Sequence, residues 1–290
     1  MVTRKEITAT DYYADNLGTV PRLSQSVANK LLSESPYHAW ASHPRLGGEQ
    51  KEPTEAMQLG TLLHSMVAGD TTRIAVVNAD DWRTKAAQQQ RAEAVEIGLT
   101  PVLRHKQGEL DRAACKILER AVAFGFDLRS MAAEPSILWD EATLAGHRVA
   151  CKGRLDYWDG AALVIDLKTT GDASLESCIR SITDRGYDLQ AAAYIKAVES
   201  ERPSLVGRVR FVNLFVETSA PYLMTPVEMD ESFLTIGRAK WQRAVELWHR
   251  CLTTDHWPGY VESVVKVAAP SWAVSREMEA SANFNYGMNQ

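Results

Sequence analysis

Hydrophobic positions recur along this chain in two rhythms, and the rhythm changes near Glu134. Ahead of that point the spacing is helical. In "TEAMQLGTLLHSMVAGD", Ala56, Leu59, Leu62, Leu63, Met66 and Val67 recur at helical spacing, which predicts an amphipathic helix with Thr54 as its cap. "PRLSQSVANKLLSESPYHAWASHPRLGG" predicts another helix, capped by Ser24 and interrupted near Pro36. Residues 83–97 and 108–126 also read as helices, the second ending at Gly125. Beyond Glu134 the pattern is that of strands. "EPSILWDEA", "HRVACKGRLDYWDG" and "ALVIDLKTT" are separated by turns at Ala145-Gly146 and Asp159-Gly160. Helices are predicted over 173–183 and 187–200, then strands in "VGRVRFVNLFVETS" and "YLMTPVEM", then a long helix over 230–252. The tail from "WPGY" onward holds Trp257, Tyr260 and Trp272 with little periodicity.

Helices, a short meander, then helix and strand again predict one α/β domain with a mixed central sheet flanked by helices. Its expected parts are a mainly helical 1–130, a sheet core over 131–228, and a helix with a tail over 229–290. The 290 residues suffice for one large core, and 45% apolar with 24% charged residues is ordinary for a globular protein. No apolar run reaches bilayer-spanning length, so no membrane partner is expected. The N-terminus has no apolar signal region, and a cytoplasmic location is the expectation. Cys115, Cys151, Cys178 and Cys251 form no C-x-x-C pair and are expected as reduced, mostly buried thiols. The net charge of −5 does not advertise a nucleic-acid binder, but local field matters more than the total.

Chemistry enters with "ALVIDLKTTG", which puts two charges at the end of a strand that otherwise reads as buried. Alternate side chains of a strand share a face. Asp166 and Lys168 therefore point one way, and Ile165, Leu167 and Thr169 the other. On the preceding strand Lys152, Arg154 and Asp156 share a face. The turn at Asp159-Gly160 would make the two strands antiparallel neighbours, so that Asp156 meets Asp166 with Lys168 beside them. Two carboxylates forced together repel unless a cation sits between them. Hard oxygen ligands suit Mg²⁺ or Mn²⁺, which polarise a phosphoryl oxygen and acidify a bound water. A nearby ammonium can orient that water or offset transition-state charge. The reaction this predicts is phosphodiester hydrolysis. The same residues also allow a plainer reading, a buried Asp–Lys pair that only stabilises the sheet.

"GRLDYWDGAALVIDLKTT" resembles the core of the PD-(D/E)xK nuclease superfamily, with Asp156 at the first acidic position and Asp166 and Lys168 at the (D/E)xK. Leu155 stands where the namesake Pro would be. In "GYDLQAAAYIKAV", Gln190 and Tyr194 lie on one helical face, similar to the Q-x-x-x-Y motif of the RecB-like branch, whose residues lie near the DNA backbone. "GTLLH" puts Gly60 and His64 on one face and resembles a G-x-x-x-H motif whose histidine is a metal ligand. Gly60, lacking a side chain, would let that helix approach the sheet. The resemblance also implies an acid at Glu134 that helps hold the metal, directly or through water, with Asp140 and Glu141 as nearby competitors.

From about residue 22 to about 217, these segments together resemble the RecE, or exonuclease VIII, catalytic domain. That resemblance implies a restriction-endonuclease-like core. It implies an exonuclease that degrades one strand of linear double-stranded DNA from its 5′ end, leaving a 3′ single-stranded tail. Asp156, Asp166 and His64 would hold Mg²⁺, with the Leu167 carbonyl as a possible further ligand. Lys168 would position the attacking water, and Gln190 and Tyr194 would steady the scissile strand. Lys152, Arg154 and Thr169 or Thr170 are candidates for phosphate contacts, or else ordinary strand-end residues. The family further implies a toroidal homo-oligomer and a RecT-type single-strand annealing protein as partner, in a bacterial or phage-infected cytoplasm. Two rivals remain: an endonuclease on the same core, and a catalytically silent DNA-binding or assembly module. A RecB-like nuclease with an iron–sulfur cluster is disfavoured by the cysteine spacing.

Overall fold

The structure, a computed structural model, describes residues 7–49, 54–72 and 74–287, with side chains described except at 55–56 and 283–287. The chain opens with α1 (Ala9–Ala14), α2 (Gln25–Ser33), α3 (Pro36–Ser42) and α4 (Glu55–Val67). Then come β1 (Ile74–Val77), α5 (Lys85–Glu96), β2 (Thr100–Leu103) and α6 (Arg104–Ala123). The sheet-forming stretch follows as β3 (Ala132–Ala133), β4 (Ser136–Ala142), β5 (Arg148–Arg154), β6 (Tyr157–Trp158) and β7 (Leu163–Thr170). The remainder is α7 (Leu175–Arg185), α8 (Tyr187–Glu201), β8 (Arg210–Glu217), β9 (Met224–Glu228), α9 (Glu231–Thr254) and α10 (Ser271–Gly287).

Local chemistry sets many of these boundaries. Ser24, Thr54 and Ser174 each accept a hydrogen bond from the backbone N–H three residues on, the usual N-cap arrangement. Ser35 does the same for α3, with Pro36 in its first turn, so the interruption foreseen near Pro36 is a boundary between two capped helices. Gly186, at φ +70°, ends α7 and starts α8 in the left-handed region that glycine tolerates.

The central sheet is mixed, in the order β3-β6-β7-β8-β9, with β7 and β8 parallel and the other pairs antiparallel. Helices α4 and α6 cover one face through Leu62, Leu63, Met66 and Ile117 against Ile165, Leu167, Val212 and Leu214. On the other face α2, α8, α9 and the β4–β5 ribbon pack with Val164, Phe211 and Phe215. The expected mixed sheet between helices is present.

One expectation about that sheet is corrected. "HRVACKGRLDYWDG" is not a single strand beside β7. It breaks at Leu155 and Asp156: β5 pairs with β4 in a separate ribbon, and only β6 reaches β7, with Tyr157 opposite Ile165. Beyond that short pairing the edge of β7 would carry an unpaired amide, which buried backbone avoids. Asp156 supplies the partner, its Oδ2 accepting the Leu167 N–H at 2.8 Å. Glu134 lies at the matching break between β3 and β4, at φ +52°, and its N–H donates to the Asp156 carbonyl at 2.8 Å. Both strands thus leave the main sheet at one level, and each break carries an acid.

Further elements were not foreseen. Helix α1 precedes the first predicted helix, and β1 and β2 form a small parallel pair. In the tail, α10 forms despite the weak periodicity. The chain divides into two compact units, Met1–Trp257 and Pro258–Gln290. The four cysteines are free thiols, Cys115 exposed and the others buried. Among the described residues no helix is long and apolar enough to cross a membrane.

Candidate active site

Strand β7 has apolar neighbours on both faces, yet its α8 face carries Asp166, 2% exposed. The carboxylate is held on every side. Its Oδ1 accepts from Gln190 Nε2 at 2.7 Å, and its Oδ2 lies 2.6 Å from Lys168 Nζ and 3.4 Å from Asn213 Nδ2 on β8. Lys168 Nζ also donates to Gln190 Oε1 at 2.8 Å and sits 4.2 Å from the centre of the Tyr187 ring. Burial alone would lower the Lys168 pKa, but the charges of Asp166 and Asp156, with Tyr187, outweigh it and the net shift is upward. Lys168 is therefore a held cation. Helix α8 frames this seam with rings: Tyr187 packs near Phe215 at 6.1 Å and Tyr194 near Phe211 at 6.2 Å.

Asp156 lies at the open edge of the same strand. Its Oδ2 is 3.3 Å from His64 Nδ1, from the last turn of α4. Helix α4 comes this close because Gly60 has no side chain: a Cβ there would stand 3.0 Å from Thr169 Oγ1. The Asp156 carboxyl is pushed up to about 6, first by burial and then by the charge of Asp166, with His64 and Lys168 pulling the other way. The two carboxylates are thus within each other's field. In a strand, a residue's N–H and C=O face the same edge. The Leu167 carbonyl therefore faces the edge on which Asp156 receives the Leu167 N–H.

The other residues picked from the sequence have varied surroundings. Glu134 is bound by Arg154, Oε2 to Nη2 at 2.6 Å, and Arg154 Nη1 also reaches Ser136 Oγ at 3.1 Å. The Glu134 carboxylate is therefore engaged with Arg154, while its backbone N–H is what touches Asp156. Its competitors are engaged elsewhere: Glu141 accepts from the indoles of Trp139 and Trp241, and Asp140 pairs with Arg148 at 2.6 Å. Thr169 faces Gly60, and Thr170 Oγ1 donates to the Asp172 carbonyl at 3.0 Å. Three residues read as touching DNA are enclosed instead. Lys152 is bound inside the fold to Asp15 at 3.0 Å and to the Tyr12 carbonyl at 2.7 Å. Gln190 bridges Asp166 and Lys168, and Tyr194 is wedged against Gly153. For Lys152 the break at Asp156 turns its face of β5 toward the N-terminal segment, whereas Gln190 and Tyr194 lie on the side of α8 packed against the sheet. The sequence reading missed two members of the seam. Asn213 was signalled by a lone amide within "RFVNLFVE", and Tyr187 by an aromatic at the start of the Gln190 helix.

Among the described residues no three His, Cys, Asp or Glu side chains are gathered into a metal cage. The donor chemistry nevertheless suits a hard divalent cation: a buried and a half-buried carboxylate that repel each other, with an imidazole at 3.3 Å from one of them. Comparison with known proteins bears on the family and the fold. A family model described as "PDDEXK-like domain of unknown function (DUF3799)" matches residues 24–268. A crystal structure described as a "Putative exonuclease" from Eubacterium rectale is similar with a TM-score of 0.60 at 13% identity, over 93% of this chain and 98% of its own. At that identity the likeness shows the fold alone. A phage related exonuclease from Haemophilus somnus 129PT matches at 13% identity with a TM-score of 0.35, over 83% of this chain and 99% of its own, and carries no argument. No curated protein matches the sequence.

Proposed function

Because this chain belongs to the PDDEXK-like domain family DUF3799, we propose that it is a Mg²⁺-dependent or Mn²⁺-dependent exonuclease that cuts linear double-stranded DNA from 5′ to 3′. Its product would be a 3′ single-stranded tail for recombination by strand annealing. The observation that carries this reading is the pair of carboxylates Asp156 and Asp166, each raising the energy of the other's charge, with Lys168 held beside them. Asp156, Asp166 and His64 would hold the cation, and the Leu167 carbonyl faces the right edge to join them. When bound, that ion would polarise a phosphoryl oxygen and lower the pKa of a bound water.

The chain's own residues supply the rest. Lys168 stays protonated at neutral pH because carboxylate charge outweighs its burial. Its ammonium can orient the attacking water and offset charge on the transition state. Gln190 holds the carboxylate of Asp166 with its N–H and the ammonium of Lys168 with its oxygen, so both keep one geometry as substrate arrives. Arg154, next to the Asp156 break and 14% exposed at its side chain, is the phosphate-contact candidate of β5 that lies nearest the site.

Polarity, ring assembly and a RecT-type annealing partner rest on the resemblance to RecE. The decisive experiment uses Mg²⁺ with linear duplex labelled at the 5′ or the 3′ end, beside covalently closed circles. Early release of the 5′ label with circles intact supports the proposal. Cutting of circles would make the protein an endonuclease, and binding without cutting a silent module.

A further inference from the structure

We infer that Asn213 is a positioning residue for Asp166, fixing its carboxylate independently of Lys168; this rests on the nuclease reading above. Strand β8 runs "RFVNLFVE", and every residue from Phe211 to Val216 is buried. Asn213 is the polar member of that run and has no exposed surface. It stands directly opposite Asp166 in the parallel register, between Phe211 and Phe215 on the same face. Its Nδ2 reaches Asp166 Oδ2 at 3.4 Å, while its Oδ1 has no hydrogen-bond partner in the described structure.

Folding by itself gives no reason for that amide. A buried acceptor left without a donor destabilises, and a branched aliphatic side chain would fill the position as its neighbours do. Turning the amide over does not help, since its oxygen would then face the carboxylate oxygen of Asp166. The side chain makes sense through its effect on Asp166. Gln190 reaches Oδ1 from the helix above, and Asn213 reaches Oδ2 from the strand beside. Two donors from two rigid elements set the plane of the carboxylate. Lys168 shares Oδ2, but its ammonium must also be free to act on water or phosphate. Asn213 has no such second task, so it keeps Asp166 aimed when Lys168 turns away or a cation displaces it.

The test is Asn213→Leu in the full chain, with Asn213→Ser as a second variant that keeps a small donor. Three measurements are made: melting without metal, Mn²⁺ binding by electron paramagnetic resonance of the free ion, and steady-state cleavage of linear duplex. Removing a group that orients a metal ligand typically costs 10–100-fold in metal affinity or activity. We expect Asn213→Leu to melt no lower than the parent, to bind Mn²⁺ about tenfold more weakly, and to lose kcat without a change in KM for DNA. Asn213→Ser should recover part of both losses. Parental Mn²⁺ binding and kcat in Asn213→Leu, or in Asn213→Ala should the first variant not fold, would overturn the inference. A parent protein that neither binds Mn²⁺ nor cleaves would instead overturn the nuclease reading itself.

Discussion

Two of the Asp–Lys pairs with enclosed carboxylates are built to opposite ends. Asp15 and Lys152 meet at 3.0 Å, Asp166 and Lys168 at 2.6 Å, and both carboxylates are almost fully enclosed. Around Asp15 cationic groups are in surplus. Lys152 and Arg45, whose Nη1 lies at 3.8 Å, bring two positive charges to the one carboxylate, and the Arg22 backbone N–H at 3.0 Å and the His43 imidazole at 3.6 Å add polar contacts. Burial lowers the pKa of both Lys152 and His43 there, against the pull of Asp15. Around Asp166 the surplus is negative, because Asp156 adds a second carboxylate, and Lys168 shifts upward instead. The first pair closes the N-terminal segment onto β5. The second leaves uncompensated negative charge at an unpaired strand edge, which is what a divalent cation needs. An Asp–Lys contact alone therefore says little about role; the sign of the surplus charge around it says more.

The harshest test of this contrast is Asp166→Asn. Cleavage of labelled linear duplex should vanish while the circular dichroism spectrum stays that of the parent. Activity near the parent's would remove Asp166, and the site with it. The next test makes the same change at both lysines. Lys152→Met removes the ammonium 3.0 Å from the enclosed Asp15 carboxylate, and breaking a buried pair from one side costs about 3–5 kcal/mol. Urea unfolding should show that loss, with the cleavage rate of the protein that remains folded unchanged. Lys168→Met should instead lower the cleavage rate by about 10²-fold, the scale of losing one electrostatic stabiliser. If the two variants exchanged these phenotypes, the assignment of structural and chemical pair would be reversed.

The sequence made one of these pairs legible and hid the other. Asp166 and Lys168 lie two apart on one strand, so period-two alternation alone puts them on one face. The partner of Lys152 lies in a segment 137 positions upstream, and no local pattern connects them. The same limit applies to the strands. Turn residues at Asp159-Gly160 marked a hairpin correctly, but only Tyr157 and Trp158 pair across it. The break at Asp156 is a tertiary event, set by a carboxylate replacing a strand neighbour, and hydrophobic alternation continues through it. Helix α4 was readable because Thr54 and the apolar spacing agree with its packing. Helix α10 was not, because its apolar residues do not gather into one stripe.

The negative surplus has its own signature in stability. Asp156 titrates at about 6 when folded, against an ordinary value of 3.8. Below 3.8 both states hold the proton and the group contributes nothing adverse. Between 3.8 and about 6 the unfolded chain gives up its proton first, so stability falls as pH rises. Above about 6 the penalty is complete. Asp156→Asn keeps an acceptor for the Leu167 N–H but carries no charge. In chelator-containing buffer it should therefore be more stable than the parent at pH 8, by on the order of 1–3 kcal/mol, and equal to it at pH 3.5. A gain that did not vary with pH would mean that charge is not what strains this residue.

The smallest expected effect falls on Tyr187, whose ring faces the Lys168 ammonium at 4.2 Å and packs near Phe215 at 6.1 Å. A cation over an aromatic face is worth about 0.5–2 kcal/mol, more when water is excluded. Lys152 has a looser counterpart in the Tyr12 ring, 4.9 Å from its ammonium, but there fixed carboxylate and carbonyl oxygens also hold the charge. At Lys168 a soft, polarisable contact restrains the cation without trapping it against Asp166. Tyr187→Phe keeps the ring face and should cleave at nearly the parental rate. Tyr187→Leu keeps apolar bulk without the quadrupole and should slow cleavage by a few-fold to about tenfold, the kinetic equivalent of that energy. If phenylalanine were as damaging as leucine, the hydroxyl would be the active part. The ring would then have no share in holding Lys168, and the two lysines would differ only in the carboxylates around them.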